Sequence, residues 1–363
     1  MKKWFYIVLV ALVAVANGCT KVEETPAPGK KVSFQVGSYA PQTKAEGDPI
    51  ALNSIGIEDF RCFAYLHGEG VETAQPFFGN SGETISYHAG TPVTWTPSHD
   101  YYWPKSAESY VNFISWHGVD PAIAYETNSD NKWSATLTWD LDVNVTPDAD
   151  LLWADMAWRY NANVVPATYK TISGVEEGVP TLFHHALAQV RFLANVTKRE
   201  DTGVQWSVTL NSLSLAGAKS TAIFSMTNVD PEATQTNAWT DTTWSSLSGS
   251  ADIASTAALT NLALAPDTTE VIGYKSVIPQ AVDGMELTVD FTVVTTYTGS
   301  SVTVEETVTK TVALSDFTSA VTAWASGQQI TYTLSINPDT HVITIIPEGN
   351  NWVDAGENNL PVE

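Results

Sequence analysis

Four groups of residues have types and spacings that chemistry could use. In the first, Lys2 and Lys3 precede an apolar run from Trp4 to Ala16, and Ala16-Asn17-Gly18 sets small residues before Cys19. This is the layout of a bacterial lipoprotein signal: the run is shorter than the about 20 apolar residues that span a bilayer as a helix, so residues 1–18 are a removed signal. Cys19 is then the expected lipidated N-terminus. In the second, Asp140-x-Asp142-x-Asn144 with Asp148 and Asp150 invites a calcium-loop reading, but an EF-hand needs Gly at its sixth position and Glu at its twelfth, where Val145 and Leu151 stand. The third is His184-His185. Neighbours on a strand point to opposite faces, so these imidazoles do not share a tetrahedral ion, and packing or hydrogen bonding at a seam is the expected role.

The fourth group is aromatic. Trp95, Tyr101, Tyr102, Trp103, Trp116, Trp133, Trp139, Trp153 and Trp158 crowd the first half. Rings of this kind fill cores or, when exposed, carry sugars and protein partners. Tyr101-Tyr102-Trp103, between Pro97 and Lys105, is the expected exposed set and the candidate ligand contact. No nucleophile elbow, phosphate-binding glycine loop or His-Glu-x-x-His occurs, so neither catalysis, a metal nor a cofactor is expected.

These groups sit on a chain of 363 residues with 40 acidic and 17 basic side chains, a net charge of −23. That charge repels nucleic acid and anionic headgroups, and the length suits two domains. Once the signal is cut, Cys62 is the only other cysteine, which excludes an intramolecular disulfide; in Phe60-Arg61-Cys62-Phe63-Ala64-Tyr65 it reads as a small buried hydrophobe on a strand.

The elements that must position these residues alternate with period two. Residues 19–31 read as a tether, with Pro26, Pro28 and Gly29 breaking any regular element, and Val32–Val36 as a first strand. Gln42-Thr43-Lys44-Ala45 follows in a polar stretch open to proteases. Strands are expected from Ile55 to Leu66, Pro92 to Trp95, Tyr110 to Trp116 and Ser134 to Val145, the last with Ala135, Leu137, Trp139, Leu141, Val143 and Val145 on its dry face. After the seam at 183/184 come Val204–Leu210, Thr221–Met226, Val271–Ile278, Glu286–Tyr297, Val302–Leu314, Gln329–Ile336 and His341–Ile346, with a short helix over Ser315–Ala325 the one exception. The fold class is all-β: two tandem antiparallel β-sandwich domains, 32–183 and 184–363.

Phe183-x-His185-Ala186-Leu187-Ala188-Gln189-Val190-x-Phe192, with Asp150-Leu151-Leu152-Trp153-Ala154 before it and Val277-Ile278-Pro279-Gln280 and Trp324 to Tyr332 after it, resembles the fimbrillin family of type V fimbriae. The resemblance implies transthyretin-like Greek-key domains and a lipid-anchored precursor at the outer membrane. It further implies a cut at Lys44–Ala45, where fimbrillins show Thr-Arg-Ala, which makes 32–44 a removable first strand, and assembly with other fimbrial subunits by strand exchange, as fimbrial subunit or tip adhesin with a protein or glycan ligand. Residues 353–363 contain Gly356 and Pro361 and make a poor donor strand, which favours the tip. The alternative is a monomeric surface glycan-binding lipoprotein.

Overall fold

The computed structural model describes residues 30–39, 49–51, 57–68, 74–127, 133–145, 150–161, 175–197, 203–229, 239, 241–251, 253–254, 261–266, 268–300, 302–317 and 321–351. In chain order these form β1 (Phe34–Tyr39), β2 (Pro49–Ala51), β3 (Asp59–His67), β4 (Gln75–Pro76), β5 (Glu83–His88), β6 (Thr94–Pro97), β7 (Tyr110–His117), β8 (Ala122–Thr127), β9 (Trp133–Asp142), β10 (Leu152–Ala154), β11 (Ala157–Tyr160) and β12 (Val179–His185). Then follow β13 (Ala188–Val196), β14 (Val204–Ala216), β15 (Thr221–Val229), β16 (Asp241–Ser248), β17 (Ile253–Ala254), β18 (Leu262–Leu264), β19 (Glu270–Val277), β20 (Gln280–Ala281), β21 (Glu286–Tyr297), β22 (Thr303–Ala313), β23 (Ala323–Trp324), β24 (Gln328–Ile336) and β25 (Ile343–Asn351). The all-β expectation holds. Instead of the helix expected over Ser315–Ala325, one 3-10 turn covers Leu314–Phe317.

In the first half the strands pair in the order β7-β10-β12-β1-β6-β5-β3, and β3 pairs with β7 again. The two layers of the expected sandwich are therefore joined at both edges into a closed ring, which leaves no edge in the ring unpaired. Rings from Phe34, Phe60, Phe78, Trp95, Phe113 and Phe183 belong to the core inside it. The pairing is not purely antiparallel either. β1 runs parallel to β12, and β13 runs parallel to β24. In each half the first strand thus lies between a late strand, parallel to it, and an earlier one, antiparallel to it: β6 beside β1 and β19 beside β13.

The second half stacks β19-β13-β24-β25, β17-β14-β21-β22 and β16-β15-β9-β8 around a second core. The last of these sheets crosses the expected seam at 183/184. β9 pairs with β15, Trp139 opposite Phe224, because the dry row Ala135, Leu137, Trp139 and Leu141 needs a cover that the filled ring cannot give. Val145, expected on that row, lies past the strand end and is exposed.

Bulges and edges account for the other departures. β14 continues past Leu210 to Ala216 through a register shift between Leu210 and Ser212. Before it Val208 and Leu210 are buried, after it Leu213 and Leu215, so the alternation changes phase and the period-two pattern breaks off at Leu210. β25 extends to Asn351 across Pro347, which an edge strand tolerates because its missing N–H has no partner to lose. β16 has no apolar row, yet it pairs along β15 and lays Trp244 on Phe224 at 4.6 Å.

Candidate functional site

The most heavily built place in the first half is the slot that β1 fills in the ring wall. Val32, Phe34 and Val36 alternate and are all buried, as their period-two spacing requires. Phe34 sits in an aromatic box, its ring centroid 5.7 Å from those of Phe60 and Phe113, both edge-on, and 6.3 Å from that of Phe78. On one side β12 runs alongside from Phe34↔Val179 to Ser38↔Phe183; on the other, Phe34 faces Trp95 of β6. β2 caps the far end through Gly37↔Ala51 to Tyr39↔Pro49.

Close approach at the near end depends on Gly178. A Cβ there would lie 2.4 Å from the carbonyl oxygen of Ser33 and 2.7 Å from the amide of Phe34, both backbone atoms with nowhere to go. The bare glycine lets Val179 N–H donate to Ser33 O at 2.8 Å, while the Tyr160 hydroxyl donates to the Gly178 carbonyl at 3.0 Å.

The ladder continues upstream of β1 onto the aromatic set singled out in the sequence. Val32 N donates to Tyr101 O at 2.9 Å, Trp103 N donates to Lys30 O at 3.0 Å, and Lys31 Nζ reaches Asp100 at 2.6 Å. Tyr101-Tyr102-Trp103 is therefore not a free loop. Trp103 is buried against Phe113 and Tyr160, and Tyr101 packs on Phe78 at 4.6 Å; Tyr102 alone is exposed, at 40%.

Tyr101 is held by a carboxylate that the sequence did not mark. Glu83 is buried and accepts from Ser98 N at 3.1 Å, the Ser98 hydroxyl at 2.5 Å, His99 Nδ1 at 2.8 Å and the Tyr101 hydroxyl at 3.1 Å. Burial alone would raise its pKa, but the Ser98, His99 and Tyr101 donors outweigh it and hold the group below the ordinary 4.5. A depressed folded-state value gives stability that is complete above the unfolded pKa and disappears as pH falls through the folded one. Glu83→Gln is expected to lower stability at pH 7 and to flatten its decline below about pH 4.5. Denaturant melts of both proteins between pH 7 and pH 3 check this, parallel curves being the contrary result.

The remaining sequence candidates are structural. His185 is buried and pairs through Nδ1 with Asp150 at 2.9 Å, while His184, on the opposite face, stacks on Trp153 at 4.3 Å and meets Asp155 at 3.1 Å. The carboxylate of Asp142 accepts from Asn144 N at 2.9 Å and so closes a turn. Among the described residues no group of three His, Cys, Asp or Glu is placed to hold a metal. Burial pushes the Cys62 thiol up to about 12, with the Ser115 hydroxyl at 3.3 Å a smaller, opposing influence. Iodoacetamide at pH 8 is expected to leave Cys62 unmodified in the folded protein and to alkylate it in denaturant; mass spectrometry separates the two. Cys19, Lys44 and Ala45 lie outside the described residues.

The fimbrillin-like family profile matches residues 43–352. The chain belongs to the fimbrillin-like family. Membership makes it a cell-surface protein of fimbrial or adhesive type, structural and not enzymatic. Among solved structures, a fimbrial protein from Bacteroides vulgatus is 14% identical, with 89% of this chain and 99% of that one covered and a TM-score of 0.54, and so shares the fold of this fimbrillin-like chain. The tip fimbrial protein Mfa3 from Porphyromonas gingivalis, with a C-terminal truncation, is 9% identical over 89% of this chain and 100% of that one, with a TM-score of 0.33. No curated protein matches at a significant level.

Proposed function

We propose that this fimbrillin-like protein is a fimbrial subunit of the tip class, delivered as a Cys19-lipidated outer-membrane precursor, cut after Lys44 and assembled by accepting a strand into the slot of β1. The observation that carries this reading is the placement of β1. It lies in the ring wall between β12 and β6, both far from it in the chain, and Lys44 falls between β1 and β2 in the sequence, so one cut separates the strand from the rest of the chain. Cuts at Lys30 or Lys31 fall before the strand and leave it attached. The family match starts at residue 43, so the shared part of the chain is nearly the part that would remain. Main-chain pairing with β12 and β6 gives an incoming strand affinity, and the apolar slot gives it register. The repeated placement of β1 and β13 supports two tandem units of the transthyretin-like Greek-key kind.

N-terminal sequencing of polymerised material is expected to begin at Ala45, and Cys19→Ala to release the precursor from membranes. A start at Cys19 or Val32, or unchanged membrane partition, contradicts the corresponding step. Deleting Ala355–Glu363 is expected to leave incorporation unchanged, as the tip position requires.

A second reading, glycan binding, is favoured by one feature. A cleft of about 370 Å³ is lined by the half-buried rings of Phe63 and Tyr65 together with Arg61, Asn80 and Asp120, rings beside planar polar groups of the kind that hold a neutral sugar. Glycan-array binding lost on Asp120→Asn would support it.

A further inference from the structure

We infer that β22 is an edge through which two copies of this chain pair, antiparallel about Val308, so that their β17-β14-β21-β22 sheets become one. The contact lies in the second half and needs no cut and no strand entering the ring. It stands or falls independently of the assembly proposed above.

β22 is the last strand of its sheet and, among the described residues, pairs with β21 alone. Its 11 residues follow β21 without a bulge, from Glu286↔Ala313 to Thr296↔Thr303, and every residue from Thr303 to Thr311 except Val308 is exposed. The other long edges of the second half are blunted. β25 carries Pro347, the register of β19 on β13 shifts at Phe192, and β16 has a register shift and holds Ser246 in the left-handed region at φ 56°. Hydroxyl contacts tie β22 to β21 instead: Thr288 to Thr311 at 3.0 Å, Thr292 to Thr307 at 3.1 Å and Thr296 to Thr303 at 3.4 Å.

The ladder fixes which backbone groups are on offer. Tyr297 N donates to Val302 O at 3.2 Å and Leu314 N donates to Met285 O at 2.9 Å, so the even-numbered groups face β21. The N–H and C=O groups of Thr303, Glu305, Thr307, Thr309 and Thr311 therefore point away from the sheet, a template for a further strand.

The charges on β22 choose the occupant and its register. A two-fold axis normal to the sheet keeps each side chain on its own face, so only residues an even number apart can stand opposite each other. Centred on Glu305, Glu306 or Lys310, the pairing sets like charges against each other; centred on Thr307 or Thr309, it sets Glu306 and Lys310 against valines. Centred on Val308, it uses the whole strand. Glu306 then stands opposite Lys310 of the second copy, and Lys310 opposite its Glu306, with Val304 opposite Val312 and Thr307 opposite Thr309. The outward groups of Thr307 and Thr309 exchange both main-chain bonds, while the charged pairs fall at the positions between, where side chains come closer. Glu306 is 59% exposed and 3.7 Å from His341, and Val304 is 47% exposed, so the second copy finds a free carboxylate and an uncovered apolar side chain. Charges that keep other registers off the edge admit this one.

The test uses the uncut chain carrying Cys19→Ala, so that acyl chains play no part, in sedimentation velocity from about 1 to 200 μM. Salt of about 0.15 M confines the repulsion between two acidic chains to about 8 Å. The dimer is expected to grow with concentration. Glu306→Lys alone and Lys310→Glu alone each set like charges opposite at both charged pairs and are expected to weaken it at least about tenfold. An equimolar mixture of these two variants restores the complementary pairs and is expected to give a mixed dimer as tight as the unmodified one, identified by native mass spectrometry. Thr309→Pro removes an outward N–H and no bond to β21, and is expected to leave monomer. A chain that stays monomeric throughout, a dimer that either charge reversal or Thr309→Pro leaves intact, or a mixture that pairs no better than its components overturns the assignment.

Discussion

Phe34→Ala in the uncut chain is expected to lower the stability of the first half by about 3 to 5 kcal/mol, the range for deleting a buried phenylalanine side chain. Removal of the ring takes away two edge-on contacts at 5.7 Å and a third at 6.3 Å, and it does so at the centre of a closed wall. The ring of strands cannot contract, because β12 and β6 are spaced by the backbone of β1 and not by its side chains. Most of the vacated volume therefore stays empty, which sets the expectation at the upper end. Domains of this kind have a total stability of roughly 5 to 15 kcal/mol, so the change should be plain in a urea melt followed by tryptophan fluorescence. Trp95 and Trp103 report on the same core. A loss below about 1 kcal/mol would mean that the box does not close on the ring.

Gly178→Ala is expected to have a comparable effect through a single methyl group. The added carbon would stand 2.4 Å from Ser33 O and 2.7 Å from Phe34 N, and neither can swing aside as the tip of a long side chain could. β1 and β12 must separate at their first paired residues, which strains the Val179 N to Ser33 O hydrogen bond of 2.8 Å and the Tyr160 contact to the Gly178 carbonyl. Overpacking of about 1 to 3 kcal/mol together with about 1 kcal/mol for the hydrogen bond predicts amide exchange at Val179 faster by roughly a hundredfold. In the cut chain the resident strand should leave sooner by a similar factor. Unchanged protection at Val179 would show that the two strands do not touch there as described.

The all-β class, most strand positions and the family were legible in the sequence, whereas the two separate antiparallel sandwiches expected from it were not what the strands form. Period-two alternation is local, so Val32, Phe34 and Val36, or Ala135 to Leu141, declare a strand and its dry face without any partner. It also placed His184 and His185 on opposite faces and buried Cys62, since these follow from neighbours along one strand. The parts that needed the tertiary structure are those set by what lies across a strand. Closure of the first half into a ring, the parallel partners of β1 and β13, and the crossing of the seam by β9 are choices among partners far apart in the chain, and alternation carries no label for the partner. The phase change at Leu210 hid the second part of β14 for the same reason: only the unbroken row of Leu287, Val289, Phe291 and Val293 on β21 shows that the strand goes on. Tyr101-Tyr102-Trp103 looked exposed because Pro and Ser surround it, yet its backbone is paired to residues 30–32, some seventy positions earlier. Whether a ring faces water or a core is decided by the segment laid over it, and in this protein that segment belongs to the strand expected to leave.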